Sequence, residues 1–187
     1  MKDNTLRINE IFYSIQGEGY WTGTPMVFVR LSGCNLRCPF CDTDHASFTL
    51  MTPAEIMAEV MKYPTCHVVI TGGEPSLQSL DLLVDMLHDR GRTVHIETNG
   101  TNPLPEALDW ITCSPKQGGE VVLERIDELK LVYEGENVEK FVNKFPRVRH
   151  FFLQPRSGEN ISETVDYVLA HPHWNLSLQT HKLINIQ

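Results

Sequence analysis

Three cysteines, Cys34, Cys38 and Cys41, stand close together, with three residues between the first pair and two between the second. A loop of this spacing can turn three thiolates towards one point. On a four-iron, four-sulfur cluster, three thiolates leave one iron without a protein ligand, and such an iron can bind a further molecule. The spacing therefore predicts an iron–sulfur site whose open iron is its working part.

Two other kinds of site are open to the same cysteines. Zinc would take four ligands, or three ligands and a water, and His45 is a candidate for the fourth. A redox pair of the thioredoxin type needs only two thiols before a helix and leaves Cys34 without a role. The other two cysteines, Cys66 and Cys113, carry no motif, and we expect them to be packed or idle thiols.

The elements that must position this loop follow a repeated pattern, in which a short apolar run leads into a polar or glycine-containing segment. Such runs predict buried strands. They cover residues 26–31, 68–70, 94–96, 110–113, 129–133 and 151–153. Segments with helical apolar spacing lie between them, and Thr52 to Glu55 have the spacing of a capping box with Pro53 in the first turn.

Three apolar stripes predict the buried faces of these helices. They consist of Ile56, Met57, Val60 and Met61; of Leu77, Leu80, Val84 and Leu87, ended by Gly91; and of Ile161, Val165, Val168 and Leu169. Strands that alternate with helices predict an α/β fold with a parallel sheet or barrel. The loops after the strands build the active site in such folds, so the polar segments should meet at one rim. This convergence indicates an enzyme.

The composition is that of one globular domain spanning residues 1–187, with 41% hydrophobic and 21% charged residues. The net charge of -8 argues against a partner of duplex nucleic acid, which requires clustered Lys and Arg. No apolar run approaches the roughly 20 residues that span a bilayer, and the first residues lack the apolar stretch of a signal peptide. We therefore expect a cytoplasmic protein with reduced cysteines and no membrane partner.

The cysteine motif, with Phe40 before its last cysteine, resembles the signature of the radical S-adenosylmethionine (SAM) superfamily, and the segment 71–75 resembles the superfamily's GGE segment. Further segments are similar to the 7-carboxy-7-deazaguanine synthase family over nearly the whole chain. They are residues 12–19, 41–43, 97–100, 114–116, 154–155 and 179–182. The resemblance implies a reduced form of the partial parallel β/α barrel of the radical SAM type, in a single domain with an N-terminal substrate loop at about 10–25 and a C-terminal closing tail at about 175–187.

The resemblance also implies the chemistry. The cofactors would be a 4Fe-4S cluster, SAM and Mg2+, and one-electron reduction of the cluster would cleave the sulfonium of SAM and release a 5'-deoxyadenosyl radical. The substrate would be 6-carboxy-5,6,7,8-tetrahydropterin, converted to 7-carboxy-7-deazaguanine with loss of ammonia in queuosine and 7-deazapurine biosynthesis. An electron donor such as flavodoxin or ferredoxin would be a partner, and the family likeness, together with open sheet edges that a partner would cover, implies a homodimer.

The same resemblance implies the residues of the site. Cys34, Cys38 and Cys41 would bind the cluster and Thr43 would bind Mg2+. The SAM site would be formed by Phe40, Cys41, Asp42, Gly72, Gly73, Glu74, Ser114, Pro115, Lys116, Gln154, Pro155, Arg156 and Ser157. The substrate would meet Ile15, Gln16, Gly17, Glu18, Arg30, Thr71, His181 and Gln187.

Individual side chains suit these roles chemically. The planar guanidinium of Arg30 can hold a carboxylate, and Gln16 and Glu18 can pair with the donors and acceptors of a pterin. Lys116 is a natural cation for the SAM carboxylate. Two rival functions are an activase that takes hydrogen from a glycine of a partner protein and a zinc-organised binding module without catalysis.

Overall fold

The computed structural model describes residues 4–39, 41 and 47–187. Its framework is one sheet of nine strands. They are β1 Leu6–Ile15, β2 Pro25–Leu31, β3 Thr49–Met51, β4 His67–Gly72, β5 Thr93–Thr98, β6 Trp110–Cys113, β7 Glu128–Tyr133, β8 His150–Pro155 and β9 Trp174–Leu176.

The strand order is β3-β1-β2-β4-β5-β6-β7-β8-β9. All neighbours from β2 to β9 are parallel, whereas β1 runs antiparallel to both β2 and β3. Within the described residues the two outer strands, β3 and β9, each pair on one side, so the sheet does not close on itself. The predicted fold class, a single-domain α/β fold with a largely parallel and incomplete barrel sheet, is confirmed.

The helices are short. They are α1 Pro53–Val60, α2 Asp81–His88, α3 Glu139–Lys144, α4 Ile161–Ala170 and α5 Thr180–Leu183, with 3-10 turns at Pro75–Leu77 and Arg156–Gly158. The predicted capping box is present at α1. The Thr52 hydroxyl accepts a hydrogen bond from the Glu55 main-chain N–H at 3.3 Å, and the Glu55 carboxylate accepts one from the Thr52 N–H at 2.8 Å. No helix in the described ranges has the length and apolar character needed to cross a membrane.

Each predicted apolar stripe included at least one terminal residue that is exposed in the structure. Met61 follows α1 as its C-cap and is exposed, because the helix ends before a further turn could bury it. Leu77 belongs to the 3-10 turn before α2 and is also exposed. On α4, Ile161 and Leu169 lie on the solvent side, and the buried residue is Thr164, whose hydroxyl donates to the Asn160 carbonyl at 2.8 Å.

The segment expected to be a substrate loop at about 10–25 begins instead as a strand, since β1 extends to Ile15. β1 lies between β2 and the three-residue strand β3, so its burial is incomplete and its apolar pattern is weak. The C-terminal tail likewise begins within β9 and continues through α5. These two strands are too polar, or too short, to stand out by apolar pattern.

Alternation along the strands separates the helix-packed face of the sheet from an inner face. On β5, Val94 and Ile96 are fully buried in the main core, whereas His95 and Glu97 point the other way. Strand register extends this alternation across the sheet. The inner-face residues include Phe28, Arg30, Thr71, His95, Glu97, Glu128, Lys130 and Gln154. The inner face therefore carries the polar and charged side chains that could take part in chemistry.

Two histidines meet on this inner face, at the end of the sheet where the parallel strands begin. His67 Nδ1 lies 3.0 Å from His95 Nε2, and Trp21 packs edge-on against His95 with a centroid distance of 4.9 Å. His95 is 3% exposed. Burial and the neighbouring His67 lower the pKa of His95 to about 4, despite an opposing effect of Asp109. The pair is therefore held neutral at physiological pH.

This neutral histidine should make the protein sensitive to acid. Because the unfolded chain takes up the proton first, stability falls as the pH drops from about 6.5 towards 4, by up to about 3 kcal/mol from this residue. In His95→Gln, which can still hydrogen bond to His67, we expect a smaller difference in the free energy of unfolding between pH 7.5 and 4.5. Urea denaturation at both pH values measures it. Equal differences in the two proteins would contradict the assignment.

Candidate active site

A cavity of about 290 Å³ opens where the parallel strands end on the inner face. Most of the residues predicted from the sequence lie on its wall. They are Ile15, Gln16, Gly17, Glu18, Arg30, Cys34, Cys38, Cys41, Thr71, Gly72, Gly73, Ser114, Lys116, Gln154, Pro155, Arg156, His181 and Gln187. Residues that are far apart in the sequence are thus brought to one place.

The remaining predicted residues fall into two groups. Phe40, Asp42 and Thr43 lie outside the described residues, as do the alternative zinc ligand His45 and the side chain of Ser157. Pro115 and Glu74 are described and are not part of the cavity wall.

Glu74 is a correction to the sequence interpretation, which expected it to contact SAM. It is completely buried, and its carboxylate is filled by donors from the protein. Oε1 accepts from the Thr98 hydroxyl at 2.7 Å and from the main-chain N–H and hydroxyl of Ser76, while Oε2 accepts from the Asn99 N–H at 2.7 Å. Glu74 therefore ties the loop after β4 to the loop after β5, and it is the loop backbone that meets the cavity.

Gly72 and Gly73 must be glycines because the backbone of the chain at Leu31 and Gly33 lies too close to leave room for a Cβ. Gly72 has φ +124°, and a Cβ there would lie 2.1 Å from the Leu31 carbonyl oxygen. A Cβ on Gly73 would lie 2.0 Å from the Gly33 carbonyl oxygen. Instead, the Gly73 N–H donates to Leu31 O at 3.0 Å, and the Glu74 N–H donates to Gly33 O at 2.8 Å. The glycines thus place the start of the cysteine loop against the end of β4.

The three thiols lie on the same part of the wall. The Cys41 N–H donates to the Cys38 carbonyl at 3.1 Å, and the Leu36 N–H donates to Cys34 Sγ at 3.4 Å. Burial and the nearby Cys34 and Cys41 thiols raise the pKa of Cys38, against an opposing effect of Lys116. The thiols are therefore close enough to influence one another, and Lys116 lies near Cys38.

The three thiols suit a cluster, in which each thiolate binds a different iron. Among the described residues, no three His, Cys, Asp or Glu side chains are grouped so as to hold one metal ion. Zinc ligands converge on one ion, whereas each thiolate of a four-iron cluster binds a different iron. Of the other cysteines, Cys113 is packed in the core, where burial raises its pKa to about 12, and Cys66 is exposed; neither lies on the cavity wall.

Lys116 fits an anionic group of SAM. It is half-buried on the cavity wall and its Nζ donates to the Ser114 hydroxyl. Burial, followed by the charge of Lys130, lowers the pKa of Lys116. A carboxylate bound beside it would stabilise the charged ammonium. Arg156, at the rim, is held by ion pairs to Glu134 at 3.0 Å and Glu159 at 2.8 Å.

A second part of the wall is built around two carboxylates, Glu97 and Glu18. Glu97 accepts from Gln16 Nε2 at 3.1 Å and from the Thr71 hydroxyl at 3.1 Å. Glu18 accepts from Lys130 Nζ at 2.5 Å. The amide nitrogens of Gln154 and Gln179 also donate to Glu18, at 3.2 and 2.9 Å.

The charges around Glu18 settle its ionisation. Burial alone would raise the pKa of Glu18, but the Lys130 charge and hydrogen bonds lower it to about 2. Burial alone would lower the pKa of Lys130, and the charges of Glu18, Glu97 and Glu128 raise it. Both groups are therefore charged at neutral pH.

The loop that carries Glu18 is fixed from beneath by Ser177 and Glu128. The Gly19 N–H donates to the Ser177 hydroxyl at 2.9 Å, and the Tyr20 N–H donates to the Glu128 carboxylate at 3.1 Å. Glu128 is 2% exposed, and burial raises its pKa to about 7. A Cβ on Gly19 would lie 2.0 Å from Glu128 Oε1, which explains the glycine.

Arg30 lies opposite Glu10 in the β1–β2 pair, and its Nε donates to that carboxylate at 2.8 Å. The same carboxylate accepts from the Gln187 side chain at 2.6 Å, and the Ser14 hydroxyl donates to the Gln187 main-chain oxygen at 2.6 Å. Within the described residues the terminal nitrogens of Arg30 make no hydrogen bond, which leaves them available at the cavity.

The C-terminal segment covers the substrate loop. The Thr180 N–H donates to the Gly17 carbonyl at 2.9 Å, and the His181 ring lies so close that a Cβ on Gly17 would meet its Nδ1 at 2.1 Å. This contact explains why Gly17 is a glycine. His181 and Gln187 both lie on the cavity wall.

The sequence interpretation did not select four residues of this network as site residues: Glu10, Glu97, Lys130 and Gln179. A usable signal existed for the strand residues. Glu97 alternates with the buried residue Ile96 on β5, and Lys130 lies between the buried residues Leu129 and Leu131 on β7. A charged residue at such a position faces away from the helices and therefore towards the inner face.

Comparisons with known proteins agree with this geometry. The family model of the radical SAM superfamily matches residues 28–130. The chain is 60% identical to a 7-carboxy-7-deazaguanine synthase from Bacteroides thetaiotaomicron, over 97% of this chain and 98% of that protein. A synthase of the same name from Bradyrhizobium diazoefficiens is 40% identical over 96% and 98% of the two chains. The crystal structure of QueE from Escherichia coli superposes with a TM-score of 0.79, at 29% identity, and covers 93% of each chain.

Proposed function

Because this chain belongs to the radical SAM superfamily and, within it, to the 7-carboxy-7-deazaguanine synthase family, we propose that it converts 6-carboxy-5,6,7,8-tetrahydropterin to 7-carboxy-7-deazaguanine with loss of ammonia. It is a radical SAM enzyme and a lyase, and the cofactors of its family are a 4Fe-4S cluster and SAM. The observation that supports the substrate is the cavity itself, where three thiols lie on the same wall as two half-buried carboxylates and an arginine.

When bound, the cluster and SAM supply the reductive sulfonium cleavage that starts the radical chemistry. The residues of the chain bind the cluster, SAM and the substrate, orient them and enclose them. Cys34, Cys38 and Cys41 would hold the cluster. The backbone at Gly73 and the Lys116 ammonium would hold the amino acid end of SAM.

The tetrahydropterin would bind on the other side of the cavity. The terminal nitrogens of Arg30 suit its carboxylate, because a guanidinium can hold a carboxylate with two parallel hydrogen bonds. Glu18 and Glu97 suit the N–H donors of the pterin ring. His181 and the rest of the C-terminal segment would close over the bound ring and exclude water.

We further propose that Mg2+ binds at Thr43 and bridges the chain to the substrate. This assignment rests on the family resemblance, since Thr43 lies outside the described residues. Mg2+ prefers oxygen ligands, keeps several waters and often joins a protein to an anionic substrate. One hydroxyl together with substrate oxygens would be enough.

We also propose that the enzyme is cytoplasmic, that it takes electrons from a flavodoxin or ferredoxin, and that it acts as a homodimer. The outer strands β3 and β9 support the dimer, because an unpaired sheet edge favours pairing with a second chain. Leu50 on β3 is 58% exposed. Sedimentation at micromolar concentration reports the oligomeric state.

The direct test is an anaerobic assay of the reconstituted protein with reductant, SAM and the tetrahydropterin, run with and without Mg2+. We expect 7-carboxy-7-deazaguanine, ammonia and 5'-deoxyadenosine as products. Without Mg2+, product formation should be at least about tenfold slower, because one substrate-bridging contact worth about 1.4 kcal/mol is lost. SAM cleavage without pterin product would reject this substrate but leave the superfamily assignment intact. Equal rates of product formation with and without Mg2+ would contradict the proposed role of Mg2+.

The same material separates the two rivals. An activase would cleave SAM productively only in the presence of its partner protein, whereas the proposed enzyme turns over a small molecule. A zinc-binding module would contain zinc and neither iron nor inorganic sulfide. Metal and sulfide analysis before the assay therefore distinguishes the three functions.

A further inference from the structure

We propose that Lys130 is a positioning residue, whose ammonium group holds the carboxylates of Glu18 and Glu97 in place as acceptors for the N–H donors of the substrate's aminopyrimidinone ring. The inference rests on the proposed function, because it assigns the role of Lys130 for that substrate. It concerns a residue that carries no sequence motif and stands within β7 between the apolar residues Leu129 and Leu131.

Lys130 lies between the two carboxylates. Its side chain is 6% exposed, and its Nζ is 2.5 Å from Glu18 Oε2 and 3.6 Å from Glu97 Oε1. All three side chains lie on the cavity wall, and they come from β7, from the loop after β1 and from β5. One cation between two anions leaves a net negative charge at this part of the wall. A ligand edge rich in donors is therefore favoured there over one rich in acceptors.

The hydrogen bonds already made leave specific oxygens open. An ionised carboxylate has about four acceptor positions. Glu18 Oε1 accepts from two glutamine amides, whereas Lys130 is the one donor to Glu18 Oε2 in the part of the chain that the structure describes. Glu97 Oε2 accepts only from Thr71 among the described residues. Each carboxylate therefore keeps acceptor capacity for a ligand, provided that it stays ionised.

Several charged groups face Glu18, and Lys130 is the decisive one. His181 from α5 and Lys116 from the loop after β6 also bring positive charge near Glu18, while Glu97 and Glu128 act on Lys130 and raise its pKa. Burial is the largest influence on Glu18 and favours the protonated carboxyl. Without Lys130, Glu18 should take up a proton and become in part a donor, which mismatches the donor edge of the ring.

The competing explanation is that the Lys130–Glu18 pair only fastens the substrate loop to β7. Removing one member of a buried pair is destabilising by about 3–5 kcal/mol in either case, so loss of stability alone decides nothing. The two explanations differ in the ionisation of Glu18 and in substrate affinity at equal stability.

We therefore compare wild type with Lys130→Met, Lys130→Arg and the double variant Lys130→Met with Glu18→Gln, which removes both charges and keeps the protein foldable. Carbon-13 NMR of labelled Glu side chains follows the titration of Glu18 without any turnover. Calorimetry with 6-carboxypterin measures affinity in the reconstituted, SAM-bound protein. SAM cleavage without pterin measures the integrity of the cluster site.

In Lys130→Met we expect the pKa of Glu18 to rise above its ordinary value and the affinity for 6-carboxypterin to fall at least about 100-fold, the size of effect typical for a charge-assisted hydrogen-bonding group. The affinity should also acquire a pH dependence that the wild type lacks. SAM cleavage without pterin should persist. Lys130→Arg keeps the charge and should bind within about tenfold of wild type.

The double variant decides the matter if Lys130→Met does not fold. It should bind the pterin weakly and without pH dependence, because a neutral glutamine cannot replace the ionised acceptor. Wild-type affinity in either charge-removed variant would overturn the proposal, as would an unchanged pKa of Glu18 in Lys130→Met. If wild type itself binds 6-carboxypterin without converting the tetrahydropterin, the proposed function fails, and the Lys130 result still stands on the NMR titration and the binding data.

Discussion

Replacement of Cys38 by alanine is expected to abolish reductive cleavage of SAM. The variant keeps two of three thiols on the cavity wall, and two thiolates hold a four-iron cluster poorly. We expect iron and sulfide content to fall to a small fraction of wild type and 5'-deoxyadenosine formation to drop by at least about 1,000-fold, comparable with the loss of a group on which the chemistry wholly depends. Product analysis and electron paramagnetic resonance of the anaerobically reconstituted protein measure both.

Cys66→Ala is the matched control for this experiment. It is also a single thiol-to-methyl change, at an exposed position that is not part of the cavity wall. Iron content, the resonance signal and SAM cleavage should stay at wild-type levels. A Cys38→Ala protein that retained a full cluster and cleaved SAM would show that Cys38 is not a ligand, and the assignment of this loop would have to be abandoned.

Replacement of Gly72 by alanine should be the most destabilising single methyl addition near the site. The new Cβ would lie 2.1 Å from the Leu31 carbonyl and 2.5 Å from the Leu31 nitrogen, so backbone must move. The φ of +124° adds strain for an L-residue. Together these costs should lower the free energy of unfolding by at least about 3 kcal/mol. The displaced backbone would also carry the cysteine loop away, so reconstitution should yield less cluster.

Gly91→Ala provides the comparison for Gly72→Ala. Gly91 also has a positive φ, of 69°, but a Cβ there meets nothing within 4 Å. It should therefore cost only the left-handed backbone strain of roughly 1–2 kcal/mol and leave cluster content unchanged. Chemical denaturation and iron analysis of both variants separate strain from steric clash. Equal losses of stability in the two variants would mean that close backbone approach does not govern the β4 loop.

Local signals in the sequence were sufficient for the chemistry. Three cysteines at fixed spacing limit the metals they can bind, because the coordination chemistry of thiolates is a property of residue type and distance along a loop. The glycine pair after β4 and the capping box at Thr52 were readable for the same reason, since each is a short-range requirement of the backbone. The resemblance to a family extended these signals to the substrate.

Short-range patterns failed where burial depends on the partner of an element. Leu77 and Leu169 fit apolar helical stripes, yet both are exposed, because no element among the described residues packs over them. Strand β1 was missed because it lies between β2 and the three-residue strand β3, which leaves it partly buried and its apolar pattern weak. Glu74 stood within a recognised motif, and only the distance to Thr98 and Asn99 showed that its carboxylate is used by the protein itself.

The residue types and their spacing by themselves predicted a thiolate-bound metal site on an α/β sheet with its polar groups at the strand ends. The tertiary structure alone decided that Lys130 would lie between Glu18 and Glu97, 112 residues from the first of these. The physical reason is that the ionisation of a buried group depends on which charges the fold brings within a few ångströms, and sequence distance carries no information about that separation.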